Sequence, residues 1–310
     1  MKILIIKPSS FGDIVQALPC ANAFKKVYNR CEISWVVFNV WYSIIKICKD
    51  VDKIIMWDRE GGLKGFFDVL RKINKIEYDL VVDLQGLFRS ALLAKFTRAK
   101  LKLGVHGMKE LSRFLIKEIH SENIMMNATF RNLEPVYFLT GKKFFPEVNI
   151  EINTMNSDKI LRDNGVFGKF ISFVPFARGK GKNWSIFNYN ELADLIKKEY
   201  FDTQVVILGT MKDFGKINSD KIVDLCGKTK IEDLAGILMR SKVSIGSDTG
   251  PMHLSSILQT PSIFIFGNSD INKTVPGIGK FSAFLNNSDF KNIDNIKPKI
   301  VMAEIKKLIN

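Results

Sequence analysis

The sequence predicts an α/β protein built from two successive doubly wound parallel sheets. Short apolar, β-branched runs alternate with helical segments through the first half, a pattern typical of a parallel sheet covered by helices. A second alternating series follows a polar, turn-rich stretch at 140–168. The 310 residues, 46% of them hydrophobic, suffice for two cores. We therefore expect two Rossmann-like domains facing a central cleft, an N-terminal one over 1–155 and a C-terminal one over 168–295, followed by a helix over 296–310.

The first half contains five predicted strands, all of them short runs rich in apolar residues: 2–7, 33–38, 54–57, 80–86 and 101–104. A loop containing glycine runs through 58–76 into a basic helix, and another helix follows the strand at 80–86. The loop over 8–12 lacks the GxGxxG pattern, which excludes a dinucleotide fingerprint there.

Asp13 stands where the first strand gives way to a helix. This is the carboxyl edge of the predicted sheet, where α/β enzymes place their chemistry. Pro19 is expected to kink or divide the helix that follows. Asp13 is thus a candidate catalytic carboxylate, and the alternative is that it only caps the helix.

The second half contains five further predicted strands: 170–174, 204–208, 221–225, 243–245 and 262–266. Predicted helices lie between them at 188–199, 231–239 and 251–258. The last segment, 300–309, is amphipathic, but its pattern alone does not place it against either domain.

Composition argues for an ordinary intracellular enzyme or binding protein. No run of 18 uncharged apolar residues occurs, and the apolar stretch at the N-terminus is too short for the core of a signal peptide. The four cysteines show no CxxC spacing and are expected to be small buried hydrophobes. We expect a soluble, cytoplasmic protein.

The net charge of +14 is concentrated in one segment. Twelve Lys/Arg against five Asp/Glu between residues 64 and 117 give this segment +7, half of the total. Such a charge suits nucleic acid, an anionic membrane surface or an acidic substrate, and a solvated face is the alternative.

The sequence Ser-Asp-Thr-Gly-Pro-Met-His over 247–253 predicts an anion site. It follows a buried strand, and Pro251 is suited to the first turn of a helix. A strand that turns directly into a helix points free N–H groups and the positive end of the helix dipole at one place. His253 in the first turn adds a donor. An ordinary helix cap explains the same residues, and both interpretations stay open on this stretch alone.

Two further strand ends in the second half carry polar groups. A basic, glycine-spaced loop at 175–184 contains Arg178 and Lys182, which suit a pyrophosphate. Asp213 follows the strand at 204–208, where a carboxylate can accept from ribose hydroxyls. A nucleotide held by the second half and a carboxylate in the first predict a group transfer.

Four segments in this order resemble glycosyltransferase family 9. They are Met1 to Asp13, the Val82-Asp83-Leu84-Gln85-Gly86-Leu87 run, Lys182-Asn183-Trp184, and the run from Ser247 to Leu254. Within the family, Phe130-Arg131-Asn132 and 266–270 are most similar to the lipopolysaccharide heptosyltransferase I group.

The resemblance implies a GT-B fold, no metal, no cofactor, and inverting transfer of heptose from ADP-L-glycero-β-D-manno-heptose to the Kdo of a lipid A precursor. Asp13 matches the general base, and Lys182 matches the lysine that neutralises the departing ADP. The donor would contact Arg178, Asp213, Thr229, Asp248, Thr249, Gly250 and His253. The acceptor would contact Ser10, Gly12, Lys64, Gln85, Arg113 and Arg131. The expected partners are these substrates and the anionic cytoplasmic face of the inner membrane, with a monomeric enzyme and no nucleic acid.

Four positions depart from the family pattern. Ala177 and Arg178 stand where a threonine pair contacts phosphate, Thr229 stands where a methionine contacts adenine, and Phe38 replaces an acidic residue. These departures concern the donor more than the reaction type. A heptosyltransferase II-like enzyme or another member with a different acceptor or nucleotide sugar stays open, as does a basic nucleotide- or nucleic-acid-binding protein, although no recognition helix or zinc finger is visible.

Three aromatic residues after the basic loop, Trp184, Phe187 and Tyr189, are expected to be core residues beneath it. Taken singly, His253 is more typical of a core or surface histidine, and Lys182 is one lysine among many.

Overall fold

The computed structural model describes residues 1–120, 127–177, 181–210, 220–267, 271–279, 282–286 and 293–309. These residues form two compact units, unit 1 over Met1–Glu151 and unit 2 over Ile152–Asn310. The boundary between the units lies inside the polar stretch at 140–168. Each unit is an α/β domain around one parallel sheet.

Unit 1 has a six-stranded sheet in the order β3-β2-β1-β4-β5-β6, with every pair parallel. Its strands are β1 (Lys2–Ile6), β2 (Glu32–Phe38), β3 (Lys53–Trp57), β4 (Tyr78–Asp83), β5 (Ala99–Gly104) and β6 (Lys117–Glu118). Ile3 to Ile6 of the central strand are fully buried. A strand covered on both faces is apolar throughout, which is why β1 was visible in the sequence. The edge strand β6 consists of two charged residues and was not predicted.

The helices of unit 1 are α1 (Phe11–Val15), α2 (Leu18–Val27), α3 (Tyr42–Lys46), α4 (Gly62–Ile73), α5 (Phe88–Phe96) and α6 (Ala128–Thr140). Short 3-10 turns lie at Asn39–Trp41 and Ser112–Phe114. The predicted division near Pro19 is confirmed, because α1 ends at Val15 and Pro19 lies in the first turn of α2, where it needs no N–H partner.

Unit 2 also has a six-stranded parallel sheet, in the order β12-β11-β10-β7-β8-β9. Its strands are β7 (Lys169–Val174), β8 (Thr203–Ile207), β9 (Ile222–Asp224), β10 (Ser244–Ser247), β11 (Ser262–Phe266) and β12 (Ser282–Asn286). Its helices are α7 (Met155–Asp163), α8 (Ile186–Glu199), α9 (Ile231–Arg240), α10 (Gly250–Ile257), α11 (Ile271–Thr274) and α12 (Pro298–Ile309).

Two helices of unit 2 settle questions that the sequence pattern left open. α7 lies in the polar stretch where no helix was predicted, and it packs against α9. α12 packs against α8, with Val301 and Ile305 fully buried in the core of unit 2. The C-terminal helix is therefore part of unit 2.

Both sheets have the doubly wound strand order, with the direction of winding reversed once in each. The reversal lies between β1 and β4 in unit 1 and between β7 and β10 in unit 2. At such a point the loops leave adjacent strands in opposite directions and open a crevice at the carboxyl ends, where open α/β sheets bind ligands. The fold thus marks two places at which to look for function.

The prediction that Phe187 is a core residue is wrong. Trp184 and Tyr189 are fully buried, as predicted, but the Phe187 side chain is 81% exposed. Helix α8 begins at Ile186, and its buried face passes through Tyr189, Leu192 and Ile196, which leaves Phe187 facing solvent. Within the described ranges, no helix combines the length and the apolar character that crossing a membrane requires.

Candidate active site

The winding reversal of unit 2 brings three strand ends into close approach. A Cβ added to Gly246 on β10 would lie 2.3 Å from the carbonyl oxygen of Val174 on β7. A Cβ added to Gly267, which follows β11, would lie 2.1 Å from the carbonyl oxygen of Gly181. Only glycine fits at these two positions, so β10 lies directly against the end of β7, and the segment after β11 lies directly against Gly181, with no side chain between the backbones.

Asp248 holds two cationic or polar side chains at this place. Nε2 of His253 lies 3.0 Å from Oδ1 of Asp248, and Nζ of Lys182 lies 3.5 Å from Oδ2. His253 and Asp248 are only 4% and 10% exposed, whereas Lys182 is 34% exposed. The carboxylate therefore anchors a buried imidazole and an accessible ammonium group.

The first turn of α10 completes the group. Thr249 is the N-cap, and its side chain accepts from the N–H of Met252. Gly250 and Pro251 form the first helical positions. The N–H groups at the start of a helix lack intrahelical partners and carry the positive end of the dipole. The predicted cap is present, whereas the anion site stays a prediction. Pro251 has no N–H, the N–H of Met252 is used by the cap, and the N–H of His253 donates to the carbonyl oxygen of Thr249 at 3.1 Å, so Gly250 carries the N–H that this turn can offer to an anion.

Three predicted donor residues remain outside this group. Arg178 and Asp213 lie outside the residues that the structure describes. Thr229 is half-buried between β9 and α9 and makes no hydrogen bond to the Asp248 group in the described part of the chain.

The winding reversal of unit 1 positions Asp13. Oδ2 of Asp13 accepts from the N–H of Ser10 at 3.1 Å and from its Oγ at 2.6 Å. Ser10 is the N-cap of α1, and Asp13 stands three positions later, so the interpretation of Asp13 as the N-cap itself is wrong. Oδ1 receives no hydrogen bond from the described residues, and the side chain is exposed. One carboxylate oxygen is thus fixed and the other is open to a substrate.

The neighbouring strand end contributes Gln85, whose Oε1 accepts from the N–H of Ser9 at 3.4 Å. Ser10, Gly12, Asp13 and Gln85 therefore lie together where β1 and β4 end side by side. Lys64 on α4 and Arg113 in the 3-10 turn are exposed and form no hydrogen bond or ion pair with this group among the described residues.

Two buried ionisable residues near Asp13, Lys7 and Asp83, were missed by the sequence analysis. Lys7 donates from Nζ to the carbonyl oxygen of Leu84 at 3.0 Å. Burial lowers the pKa of Lys7, while the nearby charges of Asp13 and Asp83 raise it. The charge of Arg131 lowers it further, which places Arg131 near this edge as well.

Asp83 is fully buried and fully hydrogen-bonded. Its Oδ1 accepts from the N–H groups of Gln85 and Gly86, and its Oδ2 accepts from Oγ of Ser90. Burial raises the pKa of the Asp83 carboxyl to about 6, although these hydrogen bonds and the charge of Lys7 lower it. Charged residues at the ends of two adjacent buried strands were the available signal, but the sequence did not show that β1 and β4 are neighbours.

The two units offer complementary chemistry. Unit 2 places the ammonium group of Lys182 and the imidazole of His253 on Asp248 at the N-terminus of α10, an arrangement that is chemically suited to an anion. Unit 1 carries an accessible carboxylate at a ligand-binding edge. Among the described residues, the one group of three or more candidate metal ligands lies in unit 1 and includes neither Asp13 nor Asp248.

Comparison with known proteins identifies the family of this chain. A family model described as glycosyltransferase family 9 (heptosyltransferase) matches residues 66–299. The lipopolysaccharide heptosyltransferase 1 of Campylobacter coli is 26% identical over 344 residues, covering 99% of this chain and 99% of that protein. The fold matches that of the E. coli ADP-heptose lipopolysaccharide heptosyltransferase II with a TM-score of 0.84 at 20% identity, covering 100% of this chain and 98% of the other.

A second solved structure, E. coli heptosyltransferase WaaC with ADP-2-deoxy-2-fluoro heptose, matches with a TM-score of 0.80 at 19% identity and covers 99% of both chains. The family model spans well over half of the sequence, and both structural matches extend over nearly all of it. The chain belongs to glycosyltransferase family 9, the heptosyltransferase family, and is a glycosyltransferase with the GT-B fold.

Proposed function

We propose that this enzyme transfers heptose from ADP-L-glycero-β-D-manno-heptose to the Kdo of a lipid A precursor, with inversion and without a metal. The observation that carries the proposal is the Lys182–Asp248–His253 group at the N-terminus of α10. It combines a positively charged ammonium group, an N–H donor at the start of a helix and polar side chains, as a sugar diphosphate requires. The structure of WaaC with a fluorinated ADP-heptose supports the choice of donor by family.

Unit 2 binds the donor in this proposal. The diphosphate accepts from the N–H of Gly250 at the start of α10 and from Lys182, which leaves Asp248 to a different task. A carboxylate repels phosphate oxygens, so Asp248 orients Lys182 and His253 and accepts from hydroxyls of the sugar. Arg178 is proposed to contact the phosphates, Asp213 the ribose, and Thr229 the adenine ring.

Unit 1 supplies the base. Asp13 takes the proton of the acceptor hydroxyl as its oxygen attacks the anomeric carbon of the heptose. The bond from that carbon to the β-phosphate oxygen breaks, and ADP leaves with the electron pair. Lys182 and the α10 dipole stabilise the charge that develops on ADP. Because attack comes from the face opposite ADP, the anomeric configuration inverts.

The acceptor is proposed to be a membrane lipid with an acidic sugar. Ser10, Gly12, Gln85 and Arg131 border the base, and Lys64 and Arg113 extend the basic surface of unit 1. We place the enzyme on the cytoplasmic face of the inner membrane, where such a lipid precursor is available. The relatives include heptosyltransferases of types 1 and 2, so the acceptor of a type 2 heptosyltransferase is the second candidate.

Titration calorimetry with ADP, UDP and GDP tests the donor. We expect ADP to bind most tightly, but Thr229 in place of a methionine removes an apolar contact worth about 1–3 kcal/mol of discrimination. The margin over UDP and GDP should therefore be reduced and not abolished. Lys182→Ala should weaken ADP binding at least about 10-fold, whereas Lys159→Ala, an exposed lysine on α7, should not change it.

Tighter binding of UDP or GDP would contradict ADP-heptose as donor while leaving the glycosyltransferase assignment intact. Equal ADP affinity in Lys182→Ala and Lys159→Ala would contradict the placement of the diphosphate.

A further inference from the structure

Three potential metal ligands meet in unit 1 at the connection between β5 and β6. His106 follows the end of β5, Glu118 is the last residue of β6, and His120 lies two positions beyond it. One ligand atom of each residue lies within 4.8 Å of the other two. The two imidazole rings are 6.3 Å apart between centroids and nearly perpendicular. No ion is present at this position.

The surrounding hydrogen bonds hold the group but do not use up its ligand atoms. Oε1 of Glu118 accepts from the N–H of Gly107 at 2.7 Å and of Met108 at 3.3 Å, which fixes the carboxylate. Oε2 has no hydrogen-bond partner among the described residues. Nδ1 of His106 is buried and has no partner in that part of the chain either. A buried nitrogen without a partner, in the same group as a carboxylate with one unpaired oxygen, requires an explanation.

We propose that His106, Glu118 and His120 bind a divalent transition-metal ion, for which zinc is the best probe. Two imidazoles and one carboxylate form a ligand set that zinc accepts, with water in a fourth position. In a tetrahedral site the ligand atoms lie about 3.4 Å apart, so the ion must draw the group inwards by about 1 Å. The exposed side chain of His120 has the freedom to make that movement.

The ion stabilises an otherwise weak edge of the sheet. β6 has two residues and pairs with β5 only through Leu103–Lys117 and Gly104–Glu118. The loop between these strands contains Glu110 at φ 56° and Leu111 at φ 61°, a left-handed conformation that side chains disfavour. One ion bound to His106, at the start of this loop, and to Glu118 and His120, at its end, links the two ends of the loop.

This site is separate from the proposed donor site, although the loop that the ion would stabilise carries Arg113, which is proposed to contact the acceptor. Its ligands come from one edge of the sheet in unit 1, whereas Lys182, Asp248 and His253 belong to unit 2. The ion therefore has a structural role in the 105–116 loop, and the enzyme does not need it to hold the diphosphate.

The test is zinc titration of the full-length, tag-free, chelator-stripped protein in competition with a chromophoric chelator. We expect one zinc per chain, and a rise in Tm on binding. His106→Asn and His120→Asn should each weaken zinc binding by at least about 100-fold, since even residues outside the ligand shell change affinity about 10–100-fold. Glu118→Gln keeps an oxygen for Gly107 and Met108 but loses the charge, so a loss of about 10–100-fold is expected.

Two matched controls separate this site from incidental binding. His253→Asn removes the third of the three histidines, and Glu60→Gln removes an exposed carboxylate elsewhere in unit 1. Both should retain the affinity of the wild type. Equal zinc affinity in the wild type and in the His106→Asn/His120→Asn double variant, or the absence of saturable binding in the wild type, would overturn the proposal.

X-ray absorption of the zinc-loaded wild type tests the ligands without any substitution. Two imidazoles with oxygen and no sulfur are expected in the coordination shell, and a cysteine sulfur would assign the ion to another place. The answer does not depend on whether a variant folds.

Discussion

At the scale of single residues, Asp13 has an observed capping role and a proposed catalytic role, which one substitution separates. Oδ2 caps α1 through Ser10, and Oδ1 is left to accept a proton. Asparagine keeps an oxygen for the Ser10 hydrogen bonds but has no basicity. We predict that Asp13→Asn lowers kcat by about two to four orders of magnitude while Tm and donor affinity stay close to wild type.

Steady-state kinetics and titration calorimetry check this prediction, with Asp68→Asn as the matched control. Asp68 is an exposed carboxylate of α4 that pairs with Arg71, and surface pairs of this kind contribute little. Near-normal turnover in Asp13→Asn would leave only the capping role.

The buried Asp83 carboxyl predicts a pH dependence of stability. Its native pKa of about 6 lies above the value of about 3.9 expected in the unfolded chain. Below both values the residue is protonated in both states, and its contribution to stability is fully present. Between them the unfolded chain releases the proton while the native state keeps it. The contribution of Asp83 is therefore lost as pH rises towards 6, at up to about 1.4 kcal/mol per pH unit.

Urea unfolding of the wild type and Asp83→Asn at several pH values isolates this effect. The free energy of unfolding of the wild type, minus that of the variant, should fall between pH 4 and about 6.5 and then level off. Tryptophan fluorescence suits the measurement because three of the four tryptophans lie in unit 1. A difference that rises with pH, or does not change, would show that burial does not raise the pKa of the Asp83 carboxyl.

At the scale of elements, buried strands were predictable and marginal helices were not. Strands β1 and β11 are buried and largely apolar on both faces, so their sequences alone predict them. α6 escaped prediction because Pro135 lies inside it, which ordinarily argues against a helix. α7 escaped because only Ser157 and Leu161 are buried along its length.

The same distinction applies to the candidate site. Asp248, Thr249 and His253 lie close together in the sequence, where a strand ends and α10 begins. Their position at a helix N-terminus was therefore predictable from the local pattern. The approach of Lys182 to Asp248 spans 66 positions, and only the resemblance to the family suggested it. Lys7 and Asp83 were missed because their proximity depends on the order of strands, which local sequence does not encode.

Helix α10 also predicts how transfer responds to chelators. In the proposed donor site, the N-terminus of this helix and the ammonium group of Lys182 supply positive charge to the diphosphate without a metal. Turnover at saturating substrates should therefore persist in excess EDTA. The assay should be paired with Tm, because removal of an ion at His106 would lower stability without stopping transfer. Loss of turnover that Mg²⁺ or Mn²⁺ restores would contradict the proposed donor site.

At the scale of the whole molecule, positive charge and exposed aromatic side chains coincide in unit 1. The 64–117 segment carries +7. Its helix α5 contacts both α4 and the 3-10 turn at Ser112–Phe114. These three neighbouring elements carry large exposed apolar side chains: Leu63, Phe67, Phe88, Phe96 and Phe114. Basic residues interspersed with exposed aromatic rings are suited to the interface of an anionic bilayer.

We predict reversible binding to vesicles that contain anionic lipid, measured by co-sedimentation. Binding should weaken as salt rises, because screening shortens the reach of surface charge to about 8 Å at physiological ionic strength. Phe114→Ser should weaken it further by removing an apolar contact with the interface. Phe201→Ser in unit 2 is the matched control, since that ring is 91% exposed and lies outside the basic segment. Equal binding to neutral and anionic vesicles, or equal losses in the two phenylalanine variants, would show that this surface of unit 1 does not face the membrane.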